Sequence, residues 1–323
     1  MDLLPSSRRN DIVPTRSTLF LPGLETVAQQ DAPRLPALER LLARARSRPG
    51  GCCWALLAAQ AGGDLGRWPV GPVSALADLG AAASACLRVE PLGMDAEQRG
   101  AFRLRAPALA LTSAEAQALA AGFNAAFAAD GVRLQVATPV RWYLWQESAG
   151  VPWRGFATPS LLLDPAHRPA PPEPALRKLL SEAEMLFFAH PVNAARREQG
   201  LPLVAGLHPW GGGRLELPAR AAVEVPAVPG AGEPYLAGLR RLGVVPLQSG
   251  ARDEAPTWAL APEAFQVEAL ARIDREVIAP LLARLRRSPG MRLRLATGRA
   301  THELGAAGLL QFWRRPRHWA LAC

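Results

Sequence analysis

Residues 190 to 213 read HPVNAARREQGLPLVAGLHPWGGG, which brings a histidine, an asparagine, two adjacent arginines and a glycine triplet into one short span. Pro191 cannot continue a helix arriving from upstream but suits the first turn of a new one, so the chain is expected to bend at His190 and restart. On the new helix, which Gly200 would end, Asn193, Arg196 and Arg197 fall at i, i+3 and i+4 and share a face. An amide and two guanidiniums near a helix start suit a carboxylate or phosphate, because free N–H groups and the positive helix end add to the forked donors of arginine. Gly211, Gly212 and Gly213 would let backbone N–H groups approach such a ligand closely. The same residues also fit an architectural reading. In that reading Asn193 bonds the exposed backbone at the bend, Arg196 pairs with Glu182 or Glu184, and the glycines form a turn between strands.

Other chemistries have less to stand on. The five histidines, at 167, 190, 208, 302 and 318, are scattered, and only Asp164 with His167 shows a close carboxylate–imidazole spacing, in a proline-rich loop. His302-Glu303 lacks the second histidine of an HExxH zinc helix, and the chain contains neither a GxSxG elbow nor a phosphate-binding P-loop. Asp130-Gly131 reads as a helix stop. Cys52, Cys53, Cys86 and Cys323 show no CxxC or zinc spacing, which points to a reducing compartment without a disulfide framework. No catalytic residue, metal site or cofactor is therefore assigned from spacing.

The 323 residues, 49% of them hydrophobic and 20% charged, read as globular and large enough for two domains. The formal charge of +9 would suggest an anionic partner, yet every basic residue except Lys178 is arginine, and the arginines are spread from Arg8 to Arg317. Such a distribution argues against a nucleic-acid surface. Neither an apolar leader core nor a membrane-length apolar run is visible, so a cytoplasmic protein without membrane association is expected.

The fold class expected is α+β (mixed α/β), with a mixed or antiparallel sheet and helices. Residues 1–35, rich in proline, serine and charge, are expected as an extended arm. Residues 36–150 open with helices at LPALERLLARARS and GCCWALLAAQAGG. They continue as strand, strand, helix and strand: AFRLRA, ALALTS, the helix from Thr112 to Gly131 with a Thr112/Glu115 capping box, and VRLQVATPVRWYLWQ, which alternates like one or two strands. A proline-dense connector at 151–175 is expected to separate this half from 176–323. There Leu176, Leu179, Leu180, Ala183 and Phe187 predict a long helix; a second follows at 264–287 with Pro280 as a kink, then a strand at MRLRLATG.

The pattern His190-Pro191-Val192-Asn193-x-x-Arg196-x-x-x-Gly200-Leu201-Pro202, followed by Trp210-Gly211-Gly212-Gly213, resembles the RpfE-type regulatory proteins. That bacterial family is related in this region to cofactor-independent, archaeal-type phosphoglycerate mutases. LALTSAEAQALAAGFNAAFAADGVRLQVATPVRWYL, which leads into a strand at Arg141 to Leu144, LLSEAEMLFFAHPVN, resembling the helix before the motif, and QFWRRP, resembling the closing strand of the family, extend the resemblance over roughly residues 85–320. It implies part of a phosphoglycerate-mutase-like fold and a non-catalytic regulatory protein. It also implies a site for a phosphorylated metabolite or carboxylate at His190, Asn193, Arg196, Arg197, Trp210, Gly211, Gly212, Gly213 and Arg141. The mutases of this class work through two metal ions, so a divalent metal belongs only to the alternative of an active mutase or phosphotransferase. The chain departs from the family pattern at Ala205, at His208 and along VEPLGMD. A protein-interaction scaffold is the third reading, since nine tryptophans, among them Trp142, Trp145 and Trp313 on or near expected strands, could supply a surface for a protein partner.

Overall fold

The computed structural model describes residues 16–21, 24, 33–49, 53–80, 85–94, 103–104, 106–147, 150–156, 159, 170–216, 233–244, 258–259, 267–297 and 300–321. From the N-terminus the elements are β1 (Arg16–Leu21), α1 (Pro36–Arg44), β2 (Arg46–Pro49), α2 (Cys53–Gln60), α3 (Val70–Leu79), β3 (Ala85–Met94) and β4 (Arg103–Leu104). There follow α4 (Ser113–Ala126), β5 (Val132–Thr138), β6 (Arg141–Gln146), α5 (Pro174–Ala189), α6 (Pro191–Glu198), β7 (Leu203–Arg214), α7 (Pro234–Arg241) and β8 (Trp258–Ala259). The chain closes with α8 (Val267–Ile273), α9 (Ala279–Arg287), β9 (Arg292–Thr297), β10 (Ala300–Gly305) and α10 (Ala306–Leu309). The protein is thus a mixed α/β chain with one mixed and one antiparallel sheet.

The mixed sheet runs β2-β10-β9-β1-β8, with β1 parallel to β8 and β9 and the β9–β10 hairpin antiparallel. It is built from the two ends of the described chain. Leu19, Phe20 and Leu21 are all buried, the continuous apolar pattern of a strand covered on both faces. The expectation of an extended arm over residues 1–35 is corrected here: residues 16–21 of that stretch are an interior strand. Leu19, Leu21, Leu293 and Leu295 pack with α1 and α9, whereas Phe20 and Ala296 belong to the core of the other sheet.

The antiparallel sheet centres on β3, which pairs with β7, β6 and β4, while β6 pairs with β5. Only Arg103–Leu104 of the first expected strand at 101–106 is described as strand. ALALTS is not a strand. A 3₁₀ turn spans Ala106–Leu109, and Thr112 then caps α4 by accepting the Glu115 N–H at 3.2 Å while Glu115 takes the Thr112 N–H at 2.8 Å. The capping box fixes the helix start and pulls the residues before it out of any ladder. Asn124 ties α4 to β5 through both backbone groups of Leu134.

The proline-dense stretch at 151–175 does not mark the division between two cores. One core gathers Phe20, Ala296 and apolar residues from Trp54 to Leu242, Phe156 included; the other joins residues from 19–45 to residues from 270–319. Phe156 instead bridges to Trp210, its N–H bonding Pro209 O at 2.8 Å, so residues 153–156 form an extended strap lying on β7. At the expected kink, Pro280 has no N–H for the carbonyl four residues earlier. The helix absorbs this as a π-turn over Asp274–Ile278, closed by Ala279 N–H to Asp274 O. Among the described residues no helix is long and apolar enough to cross a membrane.

Candidate functional site

Helix α5 ends where Pro191 forces a restart, and His190 caps the new helix by accepting the Val192 N–H on Nδ1 at 3.2 Å. The Asn193 side chain is fully buried. It donates to Phe187 O at 2.6 Å and Val204 O at 2.8 Å and accepts from Val204 N–H at 2.9 Å, stitching the bend to the start of β7. Arg196 is buried to 1% exposure; it donates from Nε to Pro202 O at 2.8 Å, from Nη1 to Glu115 at 2.7 Å and from Nη2 to Leu109 O. Its carboxylate partner is therefore Glu115 on α4, not Glu182 or Glu184 of α5. Burial pushes the Glu115 carboxyl up, but the Thr112 N–H and hydroxyl together with Arg196 outweigh it and hold the group below its ordinary range. Arg197, one residue on and so about 100° around the helix, is exposed and lies over the Phe188 ring at 5.7 Å.

The second half of the motif lies at the far end of β7. Six residues of strand separate Val204 from Trp210, about 20 Å at ~3.3 Å per residue. Trp210 is buried, packs edge-on against Trp54 and donates Nε1–H to Glu90 at 2.9 Å. Gly211, Gly212 and Gly213 are part of β7 and not a ligand loop or a turn. A Cβ on Gly212 would sit 2.2 Å from Trp153 O, and Gly211 (φ +63°) lies against Val70. The Gly212 N–H is taken by Arg154 O at 3.0 Å. The glycines thus admit the 153–156 strap and α3 close to the strand.

Arg141 belongs with this second group, in a layer of charge that motif reading did not find. On β3, Arg88 and Glu90 alternate with apolar residues. Arg88 stands in register between Tyr143 of β6 and Trp210 of β7, and Glu90 opposite His208. Arg88 pairs with Glu233 at 2.9 Å and lies over the Trp210 ring at 5.2 Å; Arg141 holds Asp78 of α3 at 2.6 and 3.1 Å; and the Tyr143 hydroxyl donates to Asp78 at 2.5 Å. All of these side chains are buried. Burial first, then the Asp78 charge, pushes the Tyr143 phenol well above its ordinary value, so it stays a proton donor at neutral pH. The Cys86 thiol, pushed up by burial, is likewise not a nucleophile. A signal was present in the sequence: two ionised residues at i and i+2 in an apolar strand demand partners in the layer above.

Chemically, both groups are closed by their own chain. The guanidiniums of Arg196, Arg88 and Arg141 meet protein oxygens, and none opens as a fork toward solvent. Among the described residues no cluster of three or more His, Cys, Asp or Glu side chains could hold a metal ion, so the donors for a two-metal centre are not assembled there. His302 is bound to Ser47 Oγ at 2.7 Å, and Asp164 with His167 lies outside the described residues. Trp142 and Trp145 are core; Trp313 is exposed and lies in a turn, not on the strand that QFWRRP was expected to form.

No protein-family model matches the chain, and no curated protein matches it. Two solved structures are similar over most of their length. A cofactor-independent phosphoglycerate mutase from Thermoplasma acidophilum aligns over 90% of both chains at 16% identity, with a TM-score of 0.36. The PH0037 protein from Pyrococcus horikoshii aligns over 90% of this chain and 87% of its own at 15% identity, with a TM-score of 0.39.

Proposed function

We propose that the chain is a non-catalytic, phosphoglycerate-mutase-like regulatory protein that works by binding a phosphorylated or carboxylated molecule. The support for a role without turnover is the commitment of the motif to architecture. Asn193 and Arg196, the side chains best suited to grip a substrate anion, are buried and bonded to six backbone and carboxylate groups of five residues. A reacting phosphoryl group needs donors that meet it, and these meet the protein. The test is interconversion of 2- and 3-phosphoglycerate by purified protein, with and without added Mg²⁺, Mn²⁺ or Zn²⁺. No turnover under any condition is expected; metal-stimulated turnover would establish the mutase reading instead.

A protein-interaction role is the second reading, favoured by one observation. Leu310, Phe312 and Trp313 are 73%, 79% and 65% exposed beside the exposed Arg314, Arg315 and Arg317. Exposed aromatics beside arginine are what interface hot spots are made from. A sedimentation mass that rises with concentration, and falls back in a Phe312→Ser/Trp313→Ser variant, would support it.

A further inference from the structure

Helix α1 flanks, with the long helix from Val267 to Arg287, a groove of about 480 Å³, within the ~300–1,000 Å³ of small-molecule clefts. Its apolar lining includes Pro36, Ala37, Ala279 and Leu282, of which Ala37 and Leu282 are buried. Its rim carries four arginines, Arg34 and Arg40 from the α1 side and Arg275 and Arg286 from the other. Asp274, which lines the groove, and Glu39 of α1 are both already committed. Asp274 caps α1 by accepting the Ala37 N–H at 3.2 Å and the Leu38 N–H at 2.7 Å, and Glu39 is clamped by Arg34 at 2.5 to 3.0 Å. Among the described residues nothing forms a hydrogen bond or ion pair with the Arg40, Arg275 or Arg286 side chains.

The long helix contributes one face to this groove. Arg275, Ala279, Leu282 and Arg286 recur at spacings of four, three and four. The two arginines are eleven residues apart, about 16 Å at 1.5 Å per residue, so a cation marks each end of an apolar trough. The π-turn turns Asp274 toward α1, where its carboxylate oxygens accept the Ala37 and Leu38 amides, while Arg40, Arg275 and Arg286 have no carboxylate partner among the described residues. An apolar lining with such cations at its rim suits an amphipathic anion, whose body leaves water while its charge meets forked donors.

We infer that this groove is the anion site of the protein, and that its ligand is a small organic phosphate or carboxylate with an apolar body. The inference rests on the proposed function only in taking the ligand to be bound and released unchanged. Phenyl phosphate is the probe, with inorganic phosphate and phenol as its separate halves, measured by calorimetry on the full chain. Phenyl phosphate should bind saturably, more tightly than either half and more weakly as salt rises. Arg40→Gln and Arg286→Gln should each weaken it roughly tenfold or more, since each loses a charge-assisted contact. Arg317→Gln, on the exposed C-terminal turn, should leave it unchanged. Absence of saturable binding, or binding retained in an Arg40→Gln/Arg286→Gln variant whose urea midpoint matches wild type, would overturn the assignment and leave the rim as solvated surface. Both substituted side chains are partly or fully exposed, so folding should survive their loss. The titration and the turnover assay read different events: turnover would overturn the non-catalytic role, whereas failure to bind would overturn the groove.

Discussion

Replacing Arg196 by methionine separates a brace from a ligand grip without any ligand. The substitution keeps much of the aliphatic volume and removes a guanidinium that is 1% exposed. Three acceptors lose a donor. Leu109 O is in a buried residue and Pro202 O in a half-buried one, and an unsatisfied buried acceptor costs about 1–3 kcal/mol. Glu115 keeps the Thr112 N–H and hydroxyl and is 22% exposed, so its share lies at the low end. The contributions overlap, and a total of about 3–5 kcal/mol matches the loss of one partner from a buried pair. Against a typical stability of 5–15 kcal/mol this is a large fraction. Urea unfolding followed by circular dichroism should show the midpoint fall, with Arg197→Met within about 0.5 kcal/mol of wild type because that side chain is solvent-facing. A double-mutant cycle with Glu115→Gln should return a coupling of about 0.5–3 kcal/mol. A loss below about 1 kcal/mol for Arg196→Met, or parity with Arg197→Met, would refute the brace and return Arg196 to the list of ligand candidates.

Three further outcomes follow from the same contacts. The Glu115 carboxyl is held below its ordinary range, so its stabilisation is present above the unfolded value and disappears as pH falls through the folded one; unfolding free energy measured from about pH 6 to pH 3 should decline less steeply in Glu115→Gln. Gly212→Ala would place a Cβ 2.2 Å from Trp153 O and 2.7 Å from Leu87, and should cost more than the ~1–3 kcal/mol of ordinary overpacking; Gly200→Ala, with nothing within 4 Å, pays only for its φ of +67°, about 1 kcal/mol, and equal urea midpoints would contradict the packing account. Tyr143→Phe removes one of three donors to Asp78 and should cost about 1–3 kcal/mol, whereas Asp78→Ala takes the Asp78 carboxylate from the buried Arg141 guanidinium and should cost about 3–5 kcal/mol; the reverse order would show that the Arg141–Asp78 ion pair is not what holds α3 to β6.

Local features were legible in the sequence because their causes are local. The Thr112/Glu115 capping box and the restart at Pro191 depend on residues within a few positions and stand where the pattern put them, and the alternation at 132–146 becomes the β5–β6 pair, whereas α4 stops at Ala126 and Gly131 closes a 3₁₀ turn beyond it. What failed was long-range. Glu115 is 81 residues from Arg196 and Glu233 is 145 from Arg88, and no periodicity names such partners. The same holds for β1: a short apolar run among prolines becomes interior only because β9, nearly three hundred residues later, pairs along it. Proline density at 151–175 was read as separation, yet an extended strap and a linker share that composition until a partner strand is known.

The arginines make the distinction between architecture and site explicit. Arg88, Arg141 and Arg196 are buried in the antiparallel-sheet half, where leaving a guanidinium without an oxygen would cost several kcal/mol, and the chain supplies Glu233, Asp78 and Glu115 for them. A ligand competing for these donors would have to displace a carboxylate already held in a low-dielectric layer. Arg40, Arg275 and Arg286 face the opposite condition. They border water, so the fold can leave them without a carboxylate partner, while the acids Asp274 and Glu39 are engaged by α1 amides and by Arg34. A bound anion there displaces only solvent. The motif with the stronger sequence signature is therefore the weaker candidate for binding, because its specific residue pattern is the one that pairing inside the protein requires.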